Sequence, residues 1–204
     1  IQPACDVIFG AFFGDSKVQG MGVGVPASQW HNYTYPLIAT NMFNNVGIRM
    51  CTANYAFEGR TPTNYLKRWE LLLGDATWAP DWIAVQPISI NPAGGYTAAN
   101  IDPAIKETLR LAALSRARGT KVIFLASSPD AGSDTTQDNL RKTTNAALAT
   151  AGYLYFDVDA LCTDGATPAR LLSAMTYDGT HYTRTLQDLA GARFFSFLYN
   201  VLSL

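Results

Sequence analysis

The stretch CDVIFGAFFGDSKVQG, residues 5–20, places an apolar run directly against a glycine-rich turn. The run over residues 5–13 contains β-branched and aromatic side chains, which is typical of a strand buried on both faces. It stops at the tripeptide GDS, residues 14–16, and Gly20 follows four residues later. This pattern predicts a sharp strand-to-helix turn that holds Ser16 at the carboxyl edge of a sheet.

Four further segments have the same apolar, β-rich character as this first strand. They are GIRMCTA, WIAVQPIS, KVIFLAS and YLYFDV, at residues 47–53, 82–89, 121–127 and 153–158. Segments with helical periodicity lie between and after them, at residues 28–44, 62–74, 102–118, 136–151 and 184–203. Alternating strands and helices predict an α/β fold, a three-layer α/β/α sandwich around a central parallel sheet of about five strands.

The helix predicted over residues 102–118 carries boundary signals at both ends. Asp102 stands at the N-cap position and Pro103 at the first helical position. Basic residues close the segment, and Gly119 follows directly after it. These signals predict a helix that begins at Pro103.

The composition is that of an ordinary globular domain. We expect residues 1–204 to form a single domain, and the first residue, Ile1, suggests a processed product or a domain cut from a longer protein. Apolar residues make up 48% and charged residues 15%, with a formal net charge of −1, so a nucleic-acid partner is not expected. No apolar run approaches the roughly 20 residues of a membrane span, and the N-terminus lacks the pattern of a signal peptide.

Three cysteines, Cys5, Cys51 and Cys162, match neither a disulfide framework nor a zinc-ligand spacing. We interpret them as small buried hydrophobic side chains. Cys5 and Cys51 fall in or beside strands that can be neighbours. A disulfide between these two therefore stays open as an alternative if the protein is secreted.

Ser16 is a candidate nucleophile. A sharp turn would expose its hydroxyl and place its backbone N–H at a helix N-terminus, an arrangement that acyl transfer requires. The same glycine-rich turn could instead cradle a phosphate. These two interpretations remain open on the turn alone, and a serine nucleophile also needs a base.

The chain offers two histidines as that base. His31 stands among aromatic residues in SQWHNYTYP, where we interpret it as a packing or hydrogen-bonding side chain. His181 follows the turn YDGT, and Asp178 lies three residues before it. On a turn, that spacing lets the carboxylate of Asp178 accept a hydrogen bond from the ring of His181 and fix its orientation. We therefore predict His181 as the base and Asp178 as the residue that orients it.

Two residues that follow other strands could complete an oxyanion hole. Gly59, in TANYAFEGRTP, offers a backbone N–H, and Asn91, in ISINPAGG, offers its side-chain amide. Both are also ordinary loop residues. Like Ser16 and His181, they follow strands, and ligands bind at the carboxyl ends of the strands in parallel α/β sheets.

Taken in order, these residues resemble the SGNH (GDSL-type) hydrolase superfamily. GDS, the loop NYAFEGRT at residues 54–61, Asn91 and the D-x-x-H pattern ending at His181 occur in the family's order. The resemblance implies Ser16 as nucleophile and oxyanion donor, with Gly59 and Asn91 as further donors. It also implies an Asp178–His181 pair, a flavodoxin-like α/β/α fold, and no metal or cofactor.

The third block departs from the family pattern, which is usually G-x-N-D. Ser89 stands for the glycine, Pro92 for the aspartate, and one extra residue lies between Pro80 and Asn91. A bulge at Pro87 would absorb the extra residue, since proline in a central strand forfeits a ladder hydrogen bond. The assignment of Asn91 therefore depends on how the chain turns after this strand.

The resemblance implies a serine esterase acting on a small-molecule or polysaccharide ester. Since family members include carbohydrate O-acetylesterases, and aromatic faces suit sugar rings, we expect deacetylation of a carbohydrate. The aromatic candidates are Trp30, Tyr33, Tyr35, Tyr55, Tyr96, Tyr177 and Tyr182, about half of which we expect in the core. Acyl-lipid or thioester hydrolysis is the second enzymatic candidate, and a non-catalytic glycan-binding or structural module is the alternative from another class. We expect an extracellular, cell-surface or virion location, and the cytoplasm is the alternative.

Overall fold

The computed structural model describes residues 7–21 and 27–204, except for the side chains of residues 27, 28 and 31. Within these ranges the strands β1 to β5 form one parallel sheet in the order β2-β1-β3-β4-β5. Their bounds are Ile8–Phe13, Met50–Asn54, Trp82–Val85, Lys121–Leu125 and Leu154–Phe156. The predicted α/β fold with a central five-stranded parallel sheet is confirmed.

Helices cover both faces of this sheet. The helices α1 to α6 span Ser16–Gln19, Tyr35–Asn45, Pro62–Leu73, Ala98–Ala117, Thr135–Ala149 and Arg184–Leu202. Short 3₁₀ turns occupy Ala27–Tyr33, Asp159–Leu161 and Ser173–Met175. No helix in the described ranges is both long and apolar enough to cross a bilayer.

Alternate residues of the strands supply two hydrophobic cores, one on each face. Phe12, Trp82 and Ile123 pack with α2 and α6 on one face. Phe13 and Phe124 pack on the other face with α3, α4 and α5. This alternation is what a sheet buried on both sides requires.

Gly10 makes room for the largest side chain at the centre of the sheet. A Cβ at this position of β1 would overlap the indole of Trp82, which pairs with it on the neighbouring strand β3. Trp82 is fully buried and meets the ring of Phe12 edge-on, with 5.1 Å between the ring centroids. The glycine inside the first strand is therefore a packing requirement.

The strand order brings the loops after β1 and β3 together at the sheet's switch point. From β1 the chain crosses to β2 on one side and then returns to β3 on the other side of β1. In doubly wound sheets ligands bind in the crevice at this point, outside the carboxyl ends of the strands. Ser16 follows β1 and Asn91 follows β3, so both predicted site residues belong to this edge.

Both predictions for the start of the helix over residues 102–118 are wrong. Helix α4 begins at Ala98 after an extended Thr97, so Asp102 is not its N-cap and Pro103 lies inside it. The helix begins before Pro103 because Asn100, in its first turn, is tied to the preceding loop. The side-chain amide of Asn100 donates to the carbonyls of Ala93 and Gly95.

The predicted third strand is also shorter than expected. β3 ends at Val85, so Pro87 follows the strand and marks no bulge within it. Residue 86 still donates its N–H to the carbonyl of Phe13, and the chain then leaves the sheet. Because proline has no N–H to continue the ladder, the strand ends before it.

The cysteines differ from one another in environment. Cys162 is buried, its thiol lies 3.2 Å from the carbonyl of Val158, and burial raises the pKa of this thiol to about 12. Cys51 is exposed on β2, so the interpretation of this residue as buried is wrong, because β2 forms the edge of the sheet. Cys5 lies outside the described residues, so the alternative of a disulfide between Cys5 and Cys51 is not tested.

Candidate active site

Ser16 is the first residue of α1, directly after the chain leaves β1. The carboxylate of Asp15 caps this helix and accepts the N–H of Lys17 at 3.0 Å. The N–H of Ser16 has no acceptor among the described residues. The turn is tight, since a Cβ at Gly14 would approach the Val18 side chain to 2.6 Å. The predicted position of Ser16 at a helix N-terminus is therefore what the structure shows.

The structure brings Ser16, His181 and Asp178 together. Ser16 Oγ lies 3.0 Å from His181 Nε2, although the two residues are 165 positions apart in the chain. His181 Nδ1 lies 2.7 Å from Asp178 Oδ2. The three side chains therefore form one hydrogen-bonded chain that runs from Asp178 through His181 to Ser16.

The turn that contains Asp178 fixes its carboxylate. Oδ1 of Asp178 accepts the backbone N–H groups of Thr180 at 2.9 Å and His181 at 2.8 Å. Burial opposes ionisation of this carboxyl, but the hydrogen bonds from the backbone and ring of His181 and the N–H of Thr180 outweigh it. They lower the pKa of Asp178 to about 2. Asp178 is consequently an anion at neutral pH.

The loop after β4 contacts the turn that contains Asp178. The N–H of Ala131 donates to the carbonyl of Gly179 at 3.0 Å. Gly179 has a φ of 86°, and a Cβ there would approach the Ala131 side chain to 2.5 Å. The next anchor is Tyr182, which is buried and donates its hydroxyl to Ser128 Oγ at 2.9 Å. His181 is thus held between two fixed points of the chain.

The predicted oxyanion donor Gly59 lies on a loop joined to the helix of Ser16. Gly59 has a φ of 65°, and its N–H has no acceptor among the described residues. The preceding residue, Glu58, donates its N–H to the Gln19 side chain of α1 at 2.6 Å. The N–H of Gly59 is therefore available to a ligand on a loop whose position is fixed relative to α1.

Asn91 also reaches this loop. Its side-chain Nδ2 donates one hydrogen to the carbonyl of Arg60 at 3.0 Å. The second hydrogen of an amide NH₂ can then be offered to a ligand. Gly59 and Asn91 are therefore neighbours through Arg60, and their roles as oxyanion donors stay predictions.

A buried hydrogen-bond chain that the sequence analysis missed links Asn91 to the helix of Ser16. Asp15 Oδ2 accepts the hydroxyl of Ser89 at 2.7 Å and the side-chain amide of Gln86 at 3.0 Å. Ser89 Oγ in turn accepts the backbone N–H of Asn91 at 3.2 Å. Asp15, Gln86 and Ser89 are all buried. The sequence signal for this chain of bonds was Ser89, which occupies the position of a glycine in the SGNH pattern. A hydroxyl that is buried needs a hydrogen-bond partner.

Gln187 is a second supporting residue without a signal in the sequence. It is fully buried on α6, and its amide donates to the carbonyl of Lys17 at 3.1 Å. Its Oε1 accepts the N–H of Tyr35 at 2.8 Å. Gln187 thereby fixes α1 and α2 relative to α6, the helix that follows His181.

The other candidates from the sequence differ in exposure, and Trp30, Tyr33 and Tyr55 are half-buried. Tyr35, Tyr96 and Tyr182 are buried in the core, as expected for part of the aromatic set. Tyr177 is 53% exposed, and its ring stacks on that of His181 with 5.8 Å between the centroids. His31 lies in the first 3₁₀ turn, and its side chain is outside the description. In the described ranges, no group of three or more His, Cys, Asp or Glu residues could hold a metal ion.

No family model and no curated protein matches this chain. Solved structures resemble it in fold. A GDSL-like lipase from Bacteroides thetaiotaomicron has a TM-score of 0.68 at 17% identity, over 95% of this chain and 88% of that chain. A psychrotrophic esterase from Pseudoalteromonas sp. has a TM-score of 0.70 at 12% identity, over 96% of this chain and 99% of that chain. An acetyl xylan esterase from Geobacillus stearothermophilus has a TM-score of 0.61 at 16% identity, over 95% of this chain and 93% of that chain. The fold is that of the GDSL-type hydrolases, as the sequence resemblance implied.

Proposed function

We propose, from the SGNH hydrolase fold of this chain and the contacts at Ser16, that it is a serine esterase. The observation that carries the proposal is the 3.0 Å approach of His181 Nε2 to Ser16 Oγ, with Asp178 2.7 Å from the other ring nitrogen. A nucleophile, a base in contact with it and a group that orients the base are the parts that acyl transfer needs. A phosphate site at the same turn would leave Asp178 and His181 without a role.

The proposed reaction has two halves. In the first, His181 Nε2 takes the proton of Ser16 as its oxygen bonds to the ester carbonyl carbon, and the carbonyl oxygen becomes an oxyanion. The N–H groups of Ser16 and Gly59 and the amide of Asn91 donate to that oxyanion. The C–O bond to the alcohol then breaks, and His181 returns the proton to the departing oxygen. In the second half, His181 deprotonates a water that attacks the acyl-enzyme, which releases the acid and restores the Ser16 hydroxyl.

We propose an acetyl group on a carbohydrate as the ester. The exposed ring of Tyr177 beside His181 offers an aromatic face of the kind on which sugar rings stack. The fold is shared with an acetyl xylan esterase, which supports carbohydrate esters as a class to test. An acyl-lipid or thioester substrate is the competing hypothesis.

Acyl-chain preference tests this function. We expect kcat/KM to fall from p-nitrophenyl acetate through the butyrate to the octanoate, and we expect acetate release from an acetylated xylo-oligosaccharide. Spectrophotometry and mass spectrometry measure the two. A kcat/KM that rises with chain length would favour the acyl-lipid hypothesis. Binding of the oligosaccharide with no hydrolysis of any ester would instead identify a non-catalytic module.

The role of Asn91 has a separate test. Replacing it by alanine should lower kcat for p-nitrophenyl acetate by about a hundredfold, the usual cost of losing one oxyanion donor, with a small change in KM. Asn200→Ala is a suitable control, because this residue lies on α6 and donates to Ser196 of the same helix. An unchanged kcat in Asn91→Ala would restrict Asn91 to holding the carbonyl of Arg60.

A further inference from the structure

A pocket of about 730 Å³ lies between the loop after β2 and helix α3. We call it the arginine pocket; its lining includes Tyr55, Phe57, Arg60, Asn64, Lys67 and Arg68. Three of these six side chains are cationic. The mechanism proposed above uses none of these six side chains.

Two of the three cations have no carboxylate partner in the described part of the chain. The guanidinium of Arg60 lies 5.4 Å from the centre of the Phe57 ring, and that of Arg68 lies 5.1 Å from the centre of the Tyr55 ring. Lys67, in contrast, pairs with Glu70 at 2.8 Å. The two arginines are therefore held over aromatic rings with their N–H groups available to an external anion.

The pocket is next to the proposed acyl site. The loop that supplies Phe57 and Arg60 also supplies Gly59, and Asn91 donates to the carbonyl of Arg60. On the other side, the ring of Tyr55 stacks on Phe13 of the central strand at 5.1 Å. The loop that carries Gly59 therefore joins the proposed acyl site to the arginine pocket, and a glycan longer than one sugar is the ligand that would contact both.

We propose that the arginine pocket binds the carboxylate of an acidic sugar, so that the substrate is an O-acetylated acidic glycan. This inference rests on the proposed esterase function. A guanidinium presents a planar fork of N–H donors that matches a carboxylate bidentately, which a neutral glycan cannot use. The rings of Tyr55 and Phe57 lie beneath the two guanidinium groups, and Phe57, which is 52% exposed, leaves apolar surface for the sugar. The exposed carboxylate of Glu58 belongs to the same loop but forms no ion pair with either arginine within the described ranges.

Binding without turnover tests the pocket independently of catalysis. Unacetylated oligogalacturonate carries no ester, and isothermal titration calorimetry at low ionic strength measures its binding to the wild type. We expect it to bind and a xylo-oligosaccharide of equal length to bind at least about tenfold more weakly. Arg60→Gln/Arg68→Gln should reduce oligogalacturonate affinity at least about tenfold, and added salt should weaken wild-type binding.

Arg116→Gln is the matched control for the double variant. Its guanidinium lies 4.9 Å from the centre of the Tyr153 ring, a similar cation–aromatic contact, in a different pocket lined by Thr120 and Lys121. This variant should bind oligogalacturonate as the wild type does. A loss of affinity in the control as large, per positive charge removed, as in the double variant would overturn the proposal, because binding would then follow net charge alone.

Turnover separates this inference from the esterase function. We expect the wild type to deacetylate acetylated oligogalacturonate faster than acetylated xylo-oligosaccharide, and the double variant to lose that preference through KM. Equal affinity for the two oligosaccharides, or competition by inorganic sulfate as strong as by oligogalacturonate, would overturn the proposal. Arginine-dependent binding of oligogalacturonate by a protein inactive on p-nitrophenyl acetate would support the pocket and overturn the esterase function alone.

Discussion

Replacing Ser16 by alanine should lower kcat for p-nitrophenyl acetate at least about ten-thousandfold. The hydroxyl oxygen removed is the atom that would attack the carbonyl, and within the described residues no other side chain hydrogen-bonds to His181 Nε2. The residual rate would come from donors that the substitution leaves in place, chiefly the backbone N–H groups of Ser16 and Gly59. Stability should change little, since the hydroxyl makes one hydrogen bond, worth about 1 kcal/mol.

Ser196→Ala provides the matched control for this variant. That serine donates to Ala192 within α6 and lies on the exposed part of the helix, so its loss should leave kcat unchanged. Thermal unfolding of both variants shows whether the fold is retained. Hydrolysis by a folded Ser16→Ala at the wild-type rate would contradict the esterase proposal and leave a binding or structural module.

The sequence allows the fold and the meeting of Ser16, His181 and Asp178 to be predicted, because both depend on local signals. Apolar runs separated by helical segments indicate the order of strands and helices, and a helix that crosses over between successive strands leaves those strands parallel. The D-x-x-H spacing lies within a single turn, where Asp178 folds back onto the residues that follow it. Ser16 and His181 are distant in sequence, yet each follows a strand, and the carboxyl edge of the sheet brings them to 3.0 Å.

The residues that support the site could not be predicted in the same way, because their partners are set by tertiary packing. Ser89 reads as a departure from a motif, and its bond to Asp15 depends on the side-by-side placement of β1 and β3. Gln187 lies in an ordinary helical pattern, and its contact with Lys17 spans 170 positions. The start of α4 was mispredicted for a related reason, since Asn100 holds the first turn through a loop contact that outweighs the proline signal.

Asp178→Asn should lower kcat about ten-thousandfold while preserving the fold. The carboxylate now uses one oxygen for the His181 ring and the other for the N–H groups of Thr180 and His181. An asparagine has one oxygen and one NH₂. If its NH₂ faces His181 Nδ1, the ring must carry its proton on Nε2 and cannot accept one from Ser16. If its NH₂ faces the backbone instead, two N–H donors lose their acceptor and the turn is destabilised.

Asp188→Asn is the control for this substitution. Asp188 is exposed on α6 and pairs with Arg184 of the same helix at 2.8 Å, so removal of its charge should leave kcat unchanged. Activity in Asp178→Asn close to that of the wild type would show that Asp178 does not orient His181.

Stability as a function of pH provides a second readout for Asp178→Asn. The pKa of Asp178 is lowered from its usual 3.8 to about 2, so its ionised form is favoured in the folded state. Its contribution to stability is then complete above the unfolded pKa and lost as pH falls through the folded pKa, between about 4 and 2. The melting temperature of the wild type should therefore exceed that of the variant near neutral pH, and the difference should shrink over this interval. A difference that stays constant from pH 6 to about 2 would contradict the hydrogen-bonded carboxylate. The stability advantage of the wild type would then not depend on ionisation of Asp178.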